Sequence, residues 1–422
     1  MYQPRFLYNF FPLLGFISIW VLALFMHVNN PYHYAIISSE TQIIVAVGLS
    51  SITLGYFFVH TMYLEFGVSI ESKPYFIEVK ENDISNTIFV LSIFVTIGIL
   101  FTLSVLYTLT DGLTLYLKNP YQVRNTIVGM QVGEVVNYNR SLYKLGSYLI
   151  TWLYPLAVLS GFHFSLSRHR RWISSIPILL TFVISIIFIK RFTLFTVIGL
   201  WFLSALYSSY FSRPNLQKLL RKQLLMISGL VIFALFGFSY WIVSLRSFYL
   251  KDIAELFKEN IYSYFAGTLS ALEKYLLIHG DEPMSMGVSS FRSVMKWLAK
   301  LGLFERDAVQ VVHSDFVNIG TGHRQYINTY TYVKVLFEDF GIIGVFFVST
   351  VWGGFTRYAN QRLSQKFTLK SLMLLAVLNF SLIMTFYEFY FEGISTIILW
   401  FLYMSIVEYY LKRSSSIKVV SY

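Results

Sequence analysis

The chain has 422 residues, of which 56% are hydrophobic and 13% charged. Soluble domains carry about 25% charged residues, so the composition excludes a soluble globular class and predicts an all-α, polytopic membrane protein, since lipid leaves helices as the backbone form for long apolar runs. The lack of cysteine excludes a disulfide framework, a thiolate nucleophile and a Cys-ligated metal, and the net charge of +11 is read as cytoplasmic loops and headgroup contacts, with no nucleic-acid partner.

Apolar runs predict about ten transmembrane helices, at 10–27, 42–63, 86–107, 147–166, 172–189, 192–211, 224–244, 333–356, 371–388 and 393–411. The first run lacks a basic leader and a small-residue cleavage signal, so it is expected to be retained. Segment 28–41 has no Lys or Arg, whereas 167–171, 212–223, 357–370 and the tail after 411 are basic. Placing both termini in the cytoplasm puts these basic loops on one side. The exception is 64–85, with two lysines against five acidic residues. Three regions follow: helices one to seven over 1–244 with an outer loop at 108–146, a large external loop at 245–332, and helices eight to ten with a cytoplasmic tail over 333–422.

The external loop is too long for a simple connector. Apolar spacing predicts amphipathic helices over 253–278 and 291–303, the second with Arg292, Lys296 and Lys300 along one side. Either both lie on the outer membrane surface or they form a small cap on the bundle.

Charges at membrane depth are costly and mark functional candidates. Lys190 and Arg191 interrupt two apolar runs at an outward hairpin. They are either snorkelling anchors or an anion site, to which Arg brings a bidentate fork and Lys a point charge. Arg246 follows the seventh run. Further on, His323-Arg324 follows Gly320-Thr321-Gly322, and Asn328-Thr329-Tyr330 precedes the eighth run, which carries Glu338-Asp339. Glu338 has a ready partner in Lys334 at i,i+4, whereas Asp339 has none nearby in sequence. His313 and His323 match no zinc spacing, so no metal is expected, although either could act as a general base. Glu388 and Glu392 flank aromatic residues between the last two runs, a pattern suited either to an interfacial belt or to a sugar-contacting rim. No GxxxxGK[ST] loop occurs, so neither ATP hydrolysis nor a nucleotide cofactor is expected.

Several of these features together resemble the Wzy-type O-antigen and polysaccharide repeat-unit polymerases, relatives of the O-antigen ligases. They are the many spans, an outward Arg191, the long loop before a late span, and its close. That close runs Asn328-Thr329-Tyr330-Thr331-Tyr332 into Asp339-Phe340-Gly341-Ile342-Ile343-Gly344. The related ligases carry a His where the loop meets the helix; here Asn328 stands in that neighbourhood, and His323 is the nearest histidine. The resemblance implies a GT-C-like, metal-independent glycosyltransferase of lipopolysaccharide or capsule biosynthesis. It would work at the outer face of the bacterial cytoplasmic (inner) membrane. Its donor and acceptor would both be undecaprenyl-diphosphate-linked oligosaccharides, and a chain-length regulator protein would be a partner beside the membrane lipids. Within that scheme Lys190, Arg191, Arg246 and Arg324 would hold the diphosphate. Asp339, His323 or His313 would accept the proton. Tyr330, Asn328, Glu338, Glu388 and Glu392 would contact sugar. The competing readings are a lipid-linked oligosaccharide flippase or transporter and an O-antigen ligase.

Overall fold

The structure, a computed structural model, describes residues 5–65, 75–109, 126–127, 129–130, 138–167, 170–188, 192–211, 226, 229, 236–240, 244, 252–280, 282–303, 317–320, 326–327, 329–388, 393–414 and 417–421. In chain order the elements are α1 (Arg5–Val28), α2 (Ser39–Glu65), β1 (Tyr75–Val79), α3 (Glu81–Leu109), α4 (Arg140–Thr151), α5 (Leu153–Leu166), α6 (Ile176–Phe188) and α7 (Phe192–Ser209). There follow α8 (Ile253–Phe265), α9 (Gly267–His279), α10 (Arg292–Lys300), β2 (Val317–Asn318), β3 (Tyr326–Ile327), α11 (Tyr332–Gln365), α12 (Leu369–Ile383), α13 (Ile394–Arg413) and β4 (Ile417–Ser421).

Among the described residues, nine helices are long and apolar enough to cross a membrane. They coincide with nine of the expected runs; the run at 224–244 lies mostly outside the described residues. The all-α expectation holds apart from two short antiparallel ribbons, β1 with β4 and β2 with β3. The first pairs Tyr75 with Ser421 and Val79 with Ile417. It ties the acidic 64–85 segment, the exception in the charge pattern, to the basic tail.

Contacts divide the chain into two compact units. The first contains residues 1–72, 255–367 and 377–399. Its centre is α2 against α11. A Cβ on Gly55 would strike the Thr350 carbonyl, and one on Gly353 the Ile52 carbonyl, so the two backbones touch wherever glycine allows it. Trp20 donates to Thr385 at 2.8 Å, and Tyr332, which precedes the break in α11, lies edge-on to Trp20 and to Trp352 beyond it. A cap is built on this unit. Tyr34, Ala266, Ala271, Tyr275, Ile319 and Tyr330 share one apolar core, the Ala35 amide donates to the Ile319 carbonyl, and Ser270 donates to the Ala35 carbonyl.

Two helices replace the single one expected over 253–278. His27 Nδ1 engages the Ala266 carbonyl at 3.2 Å, and the helical bond from the Ser270 amide to that carbonyl is stretched to 3.4 Å. Nor does α9 lie flat with one face open: Gly267 through Glu273 are buried in succession, which is the cap arrangement.

From Gly341 to Arg357 α11 rises roughly 24 Å at about 1.5 Å per residue, close to the roughly 30 Å of a hydrocarbon core. Arg357 therefore marks the opposite end of this unit. It is buried and donates to His60 Nδ1 at 2.8 Å and to Asn9 Oδ1 at 3.3 Å, with its guanidinium 5.8 Å from the Tyr56 ring. Accepting that bond requires an unprotonated Nδ1, so His60 is held as the neutral tautomer. This clamp joins α1, α2 and α11.

The second unit contains residues 73–254, 368–376 and 400–422. Buried His163 bridges Ser85 at 3.0 Å and Ser174 at 2.7 Å. Gly161 lies directly on the Trp201 carbonyl, and Ser204 and Ser165 cross-bond α5 to α7. The expected span at 147–166 extends back to Arg140 but breaks at Trp152, because Pro155 lacks the amide that would bond the Thr151 carbonyl. Trp152 and Tyr154 stack on Tyr403 and Trp400 at 3.9 and 4.1 Å.

Replacing Gly353 by Val places branched carbons against the Ile52 backbone. We expect a loss of at least about 1–3 kcal/mol, read as a lowered circular-dichroism melting temperature in detergent, with Gly237→Val, where no described residue lies within 4 Å, as the neutral control.

Candidate functional site

The end of α11 that enters the cap carries the chemistry. Thr331 is its N-cap residue in extended conformation, and its hydroxyl makes no capping bond. Two turns on, the helix breaks. Gly341 has φ 63 and ψ −163, a conformation that a side chain would strain. Three residues later a Cβ on Gly344 would collide with the Phe340 side chain. The Asp-Phe-Gly-x-x-Gly pattern thus has a physical meaning: the first glycine makes the break, and the second lets the chain pass over the phenylalanine.

The break is pinned by Asp339, which is wholly buried. Its Oδ1 accepts from the Ser289 amide at 3.0 Å and from the Ser285 hydroxyl; its Oδ2 accepts from the Ser290 amide at 2.5 Å. In return, the Ser285 and Met286 amides each donate at 3.1 Å to the Glu338 and Asp339 carbonyls, acceptors exposed by the interrupted helix. Met286 is itself held at φ 51, an uncommon state for a side-chain-bearing residue. Three donors thus converge on its two oxygens. Asp339 has no local partner, as the sequence indicates, but its partners arrive from some fifty positions upstream.

One turn earlier, Lys334 and Glu338 form the anticipated i,i+4 pair at 2.7 Å, with side chains 5% and 10% exposed. The ammonium lies 4.4 Å from the Tyr275 ring centroid and 5.4 Å from that of Tyr330. Burial, and then the facing Glu338 carboxylate, push the Tyr275 phenol above its ordinary range. Beside this cluster the buried hydroxyl oxygens of Thr329 and Thr331 have no hydrogen-bond partner among the described residues. Buried polar atoms are rarely left so.

Glu388 follows the last turn after α12, its amide bonded to the Met384 carbonyl, and neighbouring Tyr387 packs edge-on to Tyr264 of α8 at 5.3 Å. The structure therefore places Tyr330, Glu338, Asp339 and Glu388 at the cap end of the first unit. His313, His323, Arg324, Asn328, Lys190, Arg191, Arg246 and Glu392 lie outside the described residues. Among the described residues no group of His, Asp and Glu could hold a metal.

Sequence reasoning missed Ser285, Ser289 and Ser290, whose only signal is the small-residue run Ser285-Met286-Gly287-Val288-Ser289-Ser290. It also missed Glu273. The Glu273 carboxylate accepts from the Ser38 amide at 2.8 Å and the Ser38 hydroxyl at 2.9 Å, which fixes the N-cap of α2 to the cap. Burial opposes ionisation there, but the hydroxyls of Thr41 and Ser38, the Ser38 amide and Lys274 outweigh it, so its pKa lies below 4.5.

Asp339→Asn puts an amide against donor groups. The expected loss is about 2–4 kcal/mol, with faster proteolysis between Ser285 and Ser290 measured by limited digestion and mass spectrometry. For Glu273 the folded pKa is depressed, so its stabilisation is complete above pH 4.5 and disappears as pH falls through the folded value. Glu273→Gln should therefore lower thermal stability at neutral pH by about 1.5–3 kcal/mol. The gap to the native chain should close in melts below pH 4.5.

Comparison with protein-family models finds no family that matches the chain, and comparisons with curated proteins and with solved structures find no matching protein.

Proposed function

We propose that the chain is a polysaccharide repeat-unit polymerase of the bacterial inner membrane, with both termini cytoplasmic and the cap facing outward. The growing glycan sits on undecaprenyl diphosphate. A hydroxyl at the non-reducing end of an incoming lipid-linked unit attacks the anomeric carbon. The new C–O bond forms as the bond to the diphosphate breaks, the diphosphate leaves with the electron pair, and a base takes the hydroxyl proton.

The observation that carries this reading is the polar cluster at the head of α11. A buried Lys334–Glu338 pair lies under two tyrosine rings, beside two buried threonine hydroxyls with no protein partner among the described residues. Aromatic faces and unsatisfied hydroxyls suit a polyol better than an apolar ligand. The cluster belongs to a folded cap at the end of a broken helix, in the part of the chain that carries the family resemblance. The cations Lys190, Arg191, Arg246 and Arg324 would stabilise the departing diphosphate by preorganised charge. Asp339, already bonded by three donors, suits positioning of the helix break better than proton transfer. His323 and His313 remain as the bases, and Tyr330, Asn328, Glu338, Glu388 and Glu392 as sugar contacts.

The test supplies the purified protein in lipid with synthetic repeat units on polyprenyl diphosphate and no nucleotide. Longer products are expected, with Arg191→Ala slowing their formation by about 10²–10³-fold. Transbilayer movement without product would instead identify a flippase, and transfer solely to a different acceptor would identify a ligase.

A further inference from the structure

The helix α10, Arg-Ser-Val-Met-Lys-Trp-Leu-Ala-Lys, contains no acid. Arg292, Lys296 and Lys300 recur every fourth residue and so form one stripe. Among the described residues none of the three meets a carboxylate, and the Arg292 Nε is buried with no hydrogen-bond partner. Burial and the like charges of Arg292 and Lys300 hold the Lys296 ammonium below the usual lysine range. The stripe is a positive surface with no acidic partner among the described residues.

An apolar edge borders it. Trp297, Leu301 and Leu303 are 61%, 56% and 70% exposed, and Met284 and Met286 in the preceding loop are also exposed. The edge continues onto a membrane span: Met284 lies over Gly341, and the next residues of α11, Ile342 and Ile343, face outward. The helix is also rigidly placed. Asp339 bonds the Ser289 and Ser290 amides immediately before it, and Ser293 accepts from the Ser395 amide at the start of α13.

We propose that α10 is an interfacial phosphate-reading helix. It binds the headgroups of anionic bilayer phospholipids through Arg292, Lys296 and Lys300 while Trp297, Leu301 and Leu303 enter the acyl boundary. Charge complementarity and continuity with the lipid-facing surface of α11 select this occupant over a protein partner. Each cation near an anionic surface contributes roughly a fivefold preference, and the three together roughly a hundredfold at low ionic strength. Through the Asp339 bonds, lipid held at α10 also bears on the break in α11. This inference stands independently of the proposed glycosyl transfer.

The test places the full chain in nanodiscs of phosphatidylcholine with or without phosphatidylglycerol. Native mass spectrometry reads the lipids retained, and brominated acyl chains of either lipid read quenching of Trp297 as the difference from Trp297→Phe. The expected result is selective retention of phosphatidylglycerol and quenching of Trp297. Retention should fall by at least tenfold in R292Q/K296Q/K300Q, with its circular-dichroism spectrum unchanged. If that variant does not fold, the quenching of the native chain decides. Equal retention of the two lipids, or an unquenched Trp297, would overturn the proposal. So would selective retention of polyprenyl diphosphate in phosphatidylcholine without a preference for phosphatidylglycerol, which would assign the stripe to a substrate site.

Discussion

The buried carboxylate of Asp339 is what makes an interrupted α11 tenable. A helix broken inside a packed bundle exposes carbonyls and amides that must find other partners. Here the loop before α10 supplies the missing partners in both directions. Its amides take the Glu338 and Asp339 carbonyls, and its serines take the Asp339 side chain. This exchange fixes the loop before α10 to the break in α11.

The same end of the first unit gathers the other polar elements. Glu273 fixes the start of α2, His27 fixes the junction of α8 and α9, and Tyr275 and Tyr330 cover the Lys334 ammonium. At the far end of α11 the only buried guanidinium described in this unit, Arg357, meets a histidine and an asparagine rather than an acid, and its Nε has no hydrogen-bond partner among the described residues. The two ends thus differ in kind. One is a set of acidic, basic and aromatic groups beside unsatisfied hydroxyls, suited to a polar ligand. The other is a clamp on one guanidinium whose terminal nitrogens are directed at a histidine and an asparagine.

Close backbone packing makes such a scaffold possible. In lipid there is little hydrophobic drive for helices to associate, so contact depends on small residues and interhelical bonds. Gly55 and Gly353 between α2 and α11, and Gly161 with Ser204 and Ser165 between α5 and α7, follow that rule in each unit. Rigid helices allow the position of a side chain such as Lys334 to be set by its helix rather than by a loop.

The apolar runs by themselves determined the membrane class and the described spans, because burial in lipid requires an unbroken run and little else. The Lys334–Glu338 pair was also legible, since an i,i+4 ion pair is local in the chain, whereas the Asp-Phe-Gly-x-x-Gly stretch reads as part of one unbroken span and its break at Gly341 came only with the structure. Only tertiary structure decided that Asp339 is bonded by Ser285, Ser289 and Ser290, that Glu273 caps α2, and that β1 meets β4. Each of these joins positions tens to hundreds of residues apart, and an amide donor or a serine carries no mark of its partner. The same limit applies to the division of 253–278 into two helices: the periodicity is continuous, and nothing in it marks the junction at Ala266, where His27 of another helix meets the backbone.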